Sequence, residues 1–194
     1  MSLRLQVIVG STRPGRFSEK PAHWILEKAQ NKPEVEAELL DLREYPLPFF
    51  DEPLSPSSLK AYSSDVAVRW SKKITEGDGY IMVTPEYNHG YSAVLKNALD
   101  YAYYPWNRKA VGFVSYGGVS GARSIEQLRL VAVELQMAPV RNSVHIPVDL
   151  FGELKQKDEV KPGDFSSIDG YADSFLDQLI WWTRVLKKAR EEKL

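Results

Sequence analysis

Nine residues near the start of the chain, Gly10-Ser11-Thr12-Arg13-Pro14-Gly15-Arg16-Phe17-Ser18, set hydroxyls, guanidinium groups and glycines between an apolar run, Leu3 to Val9, and a helical pattern beginning near Ser18. Such a loop suits an anion. Glycines let backbone N–H groups turn toward a negative ligand, and the N-terminus of the following helix adds partial positive charge. Arg13 or Arg16 could supply a charge-assisted fork, while Ser11, Thr12 and Ser18 offer hydroxyl donors. The alternative is an ordinary strand-to-helix turn, with Ser18 as N-cap and Pro14-Gly15 as turn chemistry.

The kind of anion follows from what the loop lacks. A Walker loop ends in Gly-Lys-Ser/Thr and a dinucleotide fingerprint needs three glycines at fixed offsets; neither occurs here. Pyrophosphate sites rely on bare glycine backbone, whereas a loop rich in hydroxyls and arginine suits a terminal phosphomonoester carrying nearly two charges. FMN is one ligand of that kind. Two more loops are unusually polar or glycine-rich: Pro85-Glu86-Tyr87-Asn88-His89-Gly90, and Ser115-Tyr116-Gly117-Gly118-Val119-Ser120-Gly121. The first offers backbone amides and the side chains of Glu86, Tyr87 and Asn88 to a heterocycle edge, and the second permits close backbone approach. Glu86 could instead only cap the next helix.

The elements that must position these loops alternate along the chain. Leu3, Leu5, Val7 and Val9 mark a first strand; Trp24, Ile25, Leu26 and Ala29 mark the helix after it. Val35 to Leu42, interleaved with acids, reads as a peripheral strand with one wet face. Pro46, Pro48, Pro53 and Pro56 make Arg43 to Lys60 a long, stiff loop. A helix over Ser64 to Glu76 precedes Tyr80 to Thr84, whose continuous apolar character suits a central parallel strand. A third helix carries Val94, Leu95, Ala98, Leu99 and Ala102. Lys109 to Tyr116 makes another buried strand, and a fourth helix presents Ile125, Leu128 and Leu135. Val140 to Ile146 is a weaker fifth strand, Asp149 to Ser167 a charged surface excursion, and Ile168 to Leu186 a final amphipathic helix. Strands alternating with helices predict right-handed crossovers and a doubly wound α/β sheet of five parallel strands in the order 2-1-3-4-5. Ligands of such sheets bind beyond the strands' carboxyl ends, where strands one and three diverge, and all three polar loops meet there.

Bulk properties narrow the chemistry. The 194 residues predict a single domain over 1–194. A net charge of -1 argues against nucleic acid and against an anionic membrane as partners. The chain has no cysteine, which removes disulfides, thiolate nucleophiles and Cys-ligated metals, so redox chemistry must come from a bound cofactor. His23, His89 and His145 lack metal-ligand spacing and read as loop or surface residues, so no metal site is expected. The first strand begins at once, without a signal-peptide pattern, and no uncharged stretch reaches the ~18 residues of a membrane helix; a cytoplasmic protein is expected. Tyr101, Tyr103, Tyr104 and Trp106 read either as core or as a dimer or substrate surface.

Taken together, the Gly-Ser-Thr-Arg-Pro-Gly-Arg loop, the Pro-Glu-Tyr-Asn-His loop and the following Leu95-Lys96-Asn97-Ala98-Leu99-Asp100 resemble the NADPH-dependent FMN reductases, which include quinone, azo and chromate reductases. The resemblance covers residues 3 to 146. It implies a flavodoxin-like three-layer sandwich and a homodimer with tightly bound FMN near the interface. It also implies two-electron transfer from NADPH or NADH to quinones, azo compounds, free flavin or metal oxyanions by a ping-pong route. Carried over by residue, it puts Ser11, Arg13 and Ser18 on the FMN phosphate with Arg16 and Phe17 as neighbours. Pro85, Glu86, Tyr87 and Asn88 would line the isoalloxazine and ribityl chain, and Ser115, Gly117 and Gly118 would border the ring. No side chain is expected to act as nucleophile or general base, because the cofactor carries the chemistry. The competing reading is a flavodoxin-type electron carrier, which the near-neutral charge disfavours. Gly90-Tyr91 and the Asp149 to Ser167 segment depart from the family pattern and bear on substrate preference.

Overall fold

Strand alternation decides the layers. Six strands, β1 (Leu3–Val9), β2 (Val35–Asp41), β3 (Gly79–Pro85), β4 (Ala110–Tyr116), β5 (Ala138–Pro139) and β6 (Val144–His145), alternate with six helices. The helices are α1 (Glu19–Gln30), α2 (Asp65–Glu76), α3 (Ala93–Asp100), α4 (Ala122–Glu134), α5 (Val148–Gln156) and α6 (Asp169–Glu191). These come from a computed structural model that describes residues 2–59 and 61–193; Lys60, at the end of the Pro-rich loop, lies outside the described residues, as do Met1 and Leu194. Leu3, Leu5, Val7 and Val9 of β1, Ile81 and Val83 of β3, and Ala110 and Val114 of β4 join one buried cluster with Trp24 and Ile25 of α1 and Phe175 and Leu179 of α6. Tyr80, Met82, Val111 and Phe113 face the other way and pack with Trp70 of α2, Leu95 of α3 and Leu128 of α4. A sheet covered on both faces must carry apolar residues at every central position, and β3 and β4 are buried throughout.

The sheet is parallel in the order β2-β1-β3-β4-β5, as the alternation predicts. Its fifth position is split. Ala138 pairs with Ala110 and Val144 with Val114, so the register offset grows by two residues and Val140–Ser143 bulges out between β5 and β6. Arg129 of α4 donates to the carbonyls of Val140 and Arg141, while Gln178 and Ser174 of α6 hold Asn142, so both layers brace the break.

One expectation needs correction and one open alternative resolves. Asp149 to Ser167 is no surface excursion: α5 buries Leu154, a 3₁₀ segment (Pro162–Ile168) buries Phe165 and Ile168, and Phe165 stacks on Trp24 at 4.7 Å. Lys20 of α1 fastens the end of α5 by donating to the carbonyls of Leu154 and Lys157. The aromatic cluster resolves largely as core, since Tyr101 and Trp106 are fully buried and only Tyr104 stands well out. Asn97, from the Leu-Lys-Asn-Ala-Leu-Asp motif, has a structural task. Its amide donates to the carbonyl of Pro48 at 2.7 Å and accepts from the N–H of Phe50 at 2.9 Å, pinning the Pro-rich loop to α3. Among the described residues no helix is long and apolar enough to cross a membrane.

At the end of the sheet away from the three polar loops, Lys109 is buried and donates to the carbonyls of Ile74 and Thr75 and to the Tyr80 hydroxyl, closing the C-terminal end of α2. Burial, with help from Arg190, pushes its pKa down to about 7. Between that value and the ~10.4 of an unfolded lysine, the unfolded chain binds the extra proton, so stability contributed at this site rises with pH. Denaturant midpoints at pH 7 and pH 9 should show a rise of about 1 kcal/mol per pH unit from this group in the wild type and its loss in Lys109→Met. Equal slopes in the two proteins would contradict the assignment.

Candidate functional site

Where β1 and β3 part company, three loops rise from the carboxyl end of the sheet. The first, Gly10 to Ser18, is shaped from inside by Arg16, whose side chain is 1% exposed. Its Nε donates to Glu19 at 2.8 Å, Nη2 to Glu19 at 2.6 Å and Nη1 to Asp41 at 2.7 Å; further bonds run from Nη1 to the Ser11 carbonyl and from Nη2 to the second Asp41 oxygen. A guanidinium has five N–H groups, so every donor of Arg16 is committed to the protein. Arg16 therefore ties the loop to the end of β2 and the first turn of α1, and leaves no donor over for a ligand. Burial alone would raise the Asp41 carboxyl, but hydrogen bonds from Arg16 and from the Arg43 N–H, with the charges of both arginines, hold it below the usual carboxylate range. Arg43 completes the frame by donating to Glu19 and to the carbonyl of Arg13.

Arg13 occupies the opposite situation. It is exposed, and its guanidinium meets no acceptor among the described residues, although its backbone is held on both sides. The N–H groups of Thr12, Gly15 and Phe17 likewise find no acceptor there. Phe17 turns its ring into the core, edge-on to Tyr116 at 4.8 Å and to Phe151 at 4.9 Å. Ser18 does not cap α1 with its side chain; its hydroxyl is buried and shares a 2.6 Å hydrogen bond with the Tyr116 hydroxyl. Ser11 is buried within 3.4 Å of the Tyr87 hydroxyl, which brings the first loop to the second. Three guanidiniums stand here against two carboxylates at a helix N-terminus, with a row of free amides. That donor set fits the terminal phosphate of FMN.

The second loop is a tight turn. Asn88 and His89 both have positive φ, 49° and 70°, and Tyr87 and Gly90 exchange backbone hydrogen bonds across them. Glu86 points away from this turn. Its side chain is 3% exposed and pairs with Arg123 in the first turn of α4, accepting from Nε at 2.6 Å and from the Arg123 N–H at 3.1 Å. The helix that Glu86 caps is thus α4, through space, and not the helix next in sequence. In the third loop Gly117 has φ +152°, and a Cβ there would lie 2.8 Å from that of Glu86; Gly121, at φ +73°, would collide with Ser115. Ser115 is buried and donates to the Thr84 carbonyl at 2.8 Å. The N–H groups of Gly117 and Gly118 take no acceptor among the described residues, and Pro85, buried at the end of β3, receives the Ser124 hydroxyl. No group of three or more histidines, aspartates or glutamates suited to a metal occurs among the described residues.

Residues 3–150 match the family described as NADPH-dependent FMN reductase. The chain belongs to that family. An NAD(P)H-dependent FMN reductase of Schizosaccharomyces pombe is 38% identical over 149 residues, spanning 75% of this chain and 74% of the relative. A 2-hydroxy-1,4-benzoquinone reductase of a Burkholderia species is 28% identical over 95% of this chain and 98% of its own length. Among solved structures, the flavoenzyme NAD(P)H:(acceptor) oxidoreductase FerB of Paracoccus denitrificans superposes with a TM-score of 0.67 at 21% identity, covering 91% of this chain and 97% of that one, which establishes the flavodoxin-like fold. The FMN reductase match ends within α5, so the buried Phe165 and the final helix lie outside the matched residues. Arg123, Arg43 and Asp41 escaped sequence reasoning because nothing in their spacing links them to the loops they hold.

The two loop arginines should separate cleanly on substitution. Arg13→Ala should weaken FMN at least tenfold, leave riboflavin binding unchanged and leave apo-protein stability intact, since truncating a charged partner typically costs roughly 2 to 5 kcal/mol of binding. Arg16→Ala should lower the stability of the apo-protein by roughly 1 to 3 kcal/mol, because it removes a buried side chain that makes five hydrogen bonds and leaves the partly exposed Asp41 and Glu19 to water. Titration of both flavins into both apo-variants, with denaturant melts, checks this; a stable Arg16→Ala protein with wild-type FMN affinity would refute the internal role.

Proposed function

We propose that this chain is an FMN-dependent NAD(P)H oxidoreductase of a single domain, passing two electrons from NADPH or NADH to small acceptors in alternating half-reactions. The observation that carries the reading is the unpaired donor set of the first loop, Arg13 with the amides of Thr12, Gly15 and Phe17, at the mouth of a flavodoxin-like sheet. When bound, FMN supplies the hydride acceptor, and this chain's residues place it. Arg13, Ser11 and the free amides around Ser18 hold the phosphate; Arg16 and Phe17 act from beneath, one as a brace and the other as packing. Pro85, Glu86, Tyr87 and Asn88 line the ring and ribityl side, while Ser115, Gly117 and Gly118 border it. Backbone N–H groups of Asn88, His89, Gly117 and Gly118 are free to face negative charge on the ring. No side chain need give up or take a bond to carbon.

Quinones are the acceptor class we favour, because the Burkholderia relative that matches nearly the whole chain is named for one. The segments leaving β2, β3, β4 and β6 expose Phe49, Tyr87, Val119 and Val148, an apolar fringe for a flat acceptor or for a second copy of the chain. A homodimer built on that fringe, and not on the buried Tyr101 and Trp106, belongs to the proposal. So does a cytoplasmic location, where the nicotinamide reductant is at hand. A net charge of -1 gives little electrostatic surface for docking redox proteins, which sets the carrier reading aside.

The purified protein should be yellow and release FMN, not FAD, on denaturation. Anaerobic NADPH or NADH should bleach its visible band, and a quinone added afterwards should restore it. A colourless protein, or FAD as the main flavin, would defeat the proposal. Light scattering at micromolar concentration should report a dimer, and a monomer alone would remove that part.

A further inference from the structure

The Glu86–Arg123 pair joins the second loop to the third and to α4, and neither periodicity nor motif spacing points to it. Arg123 stands in the first turn of α4, a helix whose N-cap position is Gly121, with no side chain to cap it. Glu86 supplies the missing acceptor from the second loop, and its Cβ lies where a side chain on Gly117 of the third loop would have to go. On its other side Arg123 donates from Nη1 to Nε2 of His89 at 2.8 Å, and Gln127, one turn further along α4, donates to the His89 carbonyl at 2.7 Å. Arg123 therefore links the residue that enters the turn, Glu86, to His89 within it.

A carboxylate whose side chain is 3% exposed, beside a loop that lines a redox ring, is not electrically neutral in its consequences. Reduced flavin carries more negative charge than oxidised flavin, so an uncompensated carboxylate there would disfavour reduction, and charge placed near the ring is one of the protein's main levers on a flavin. Arg123 cancels that charge at hydrogen-bond distance while its guanidinium remains about one-third exposed. We propose that Arg123 is a positioning residue for this reaction, and that through its ion pair with Glu86 it fixes the ring loop and sets the reduction potential of the bound flavin. The inference rests on the placement of the flavin ring against Pro85–Asn88.

The test is the two-electron midpoint potential of the FMN-loaded protein, measured by equilibration with a reference dye at pH 8, together with FMN titration of each apo-protein. Arg123→Gln leaves Glu86 uncompensated and should lower the potential; Glu86→Gln leaves Arg123 uncompensated and should raise it. Each shift should correspond to about a tenfold change in the ratio of affinities for oxidised and reduced FMN, or about 30 mV for a two-electron couple. The double variant should return close to the wild-type potential. A merely structural role would weaken FMN binding in both single variants without opposite shifts, and shifts of the same sign, or none in Glu86→Gln, would overturn the proposal. If Arg123→Gln fails to fold, Glu86→Gln decides alone, since it removes charge but keeps a hydrogen-bonding side chain of the same shape. A wild-type protein that binds no FMN would defeat the cofactor placement itself and is recognised before any variant is compared.

Discussion

The first polar loop depends on one buried guanidinium. A loop of free amides and unpaired cations has little reason to keep its shape without a ligand, since its own N–H groups repel one another and its glycine resists no motion. Arg16 supplies that reason by converting the loop's Ser11 carbonyl, a strand-end carboxylate and a helix-start carboxylate into partners of a single planar group. The arrangement places an excess of positive charge at the loop while pairing the nearest two carboxylates with Arg16. It also joins three elements, β1, β2 and α1, at the point where the sheet order turns. A lysine could not do this, because it lacks the planar fork that serves two carboxylates at once.

Beneath the loop the support is aromatic. Phe17, Tyr116 and Phe151 form a contact set that brings α5 under the phosphate site, and Lys20 locks the end of α5 onto α1. The segment after β6 is thus part of the scaffold. The second loop is braced by Arg123, Gln127 and Ser124 of α4, and not by α3, the helix it leads into. Such cross-bracing is how a site built on loops attains the fixed geometry that hydride chemistry demands.

Elements with a strong period were legible in advance. The strand alternation of Leu3 to Val9, the continuous burial of Tyr80 to Thr84 and the stripe of the last helix follow from one-dimensional pattern, because burial on a face imposes that pattern. The loop positions of Arg13, Asn88 and Gly117 were legible for a related reason, since the loops between such elements have nowhere else to go. What the pattern could not reveal was pairing across distance. Arg13 and Arg16 look alike in sequence, and only Asp41, twenty-five residues beyond Arg16, separates an internal brace from a free cation. Asp149 to Ser167 hid its anchors because Leu154, Phe165 and Ile168 are isolated among charges and make no period. The fifth strand was blurred by its own bulge, which interrupts alternation where Arg129 and Asn142 take over from the ladder.

The same division bears on how the family can vary its substrates. Pro85, Glu86 and Ser115 are tied to neighbouring elements by buried hydrogen bonds, so changes there disturb the fold. Phe49 is different. Its neighbours Pro48 and Phe50 are both bound to Asn97, yet its own ring is 81% exposed, so it is presented on a fixed backbone without being committed to any contact. Val119 and Val148 combine a held backbone and a free side chain in the same way. Substitution at such positions alters the outer surface with little cost to packing, because no cavity is opened and no buried polar group is stranded. Acceptor preference can therefore drift while the phosphate loop and the Glu86–Arg123 pair stay put, and a fold that only positions a cofactor can serve many acceptors without rebuilding its chemistry.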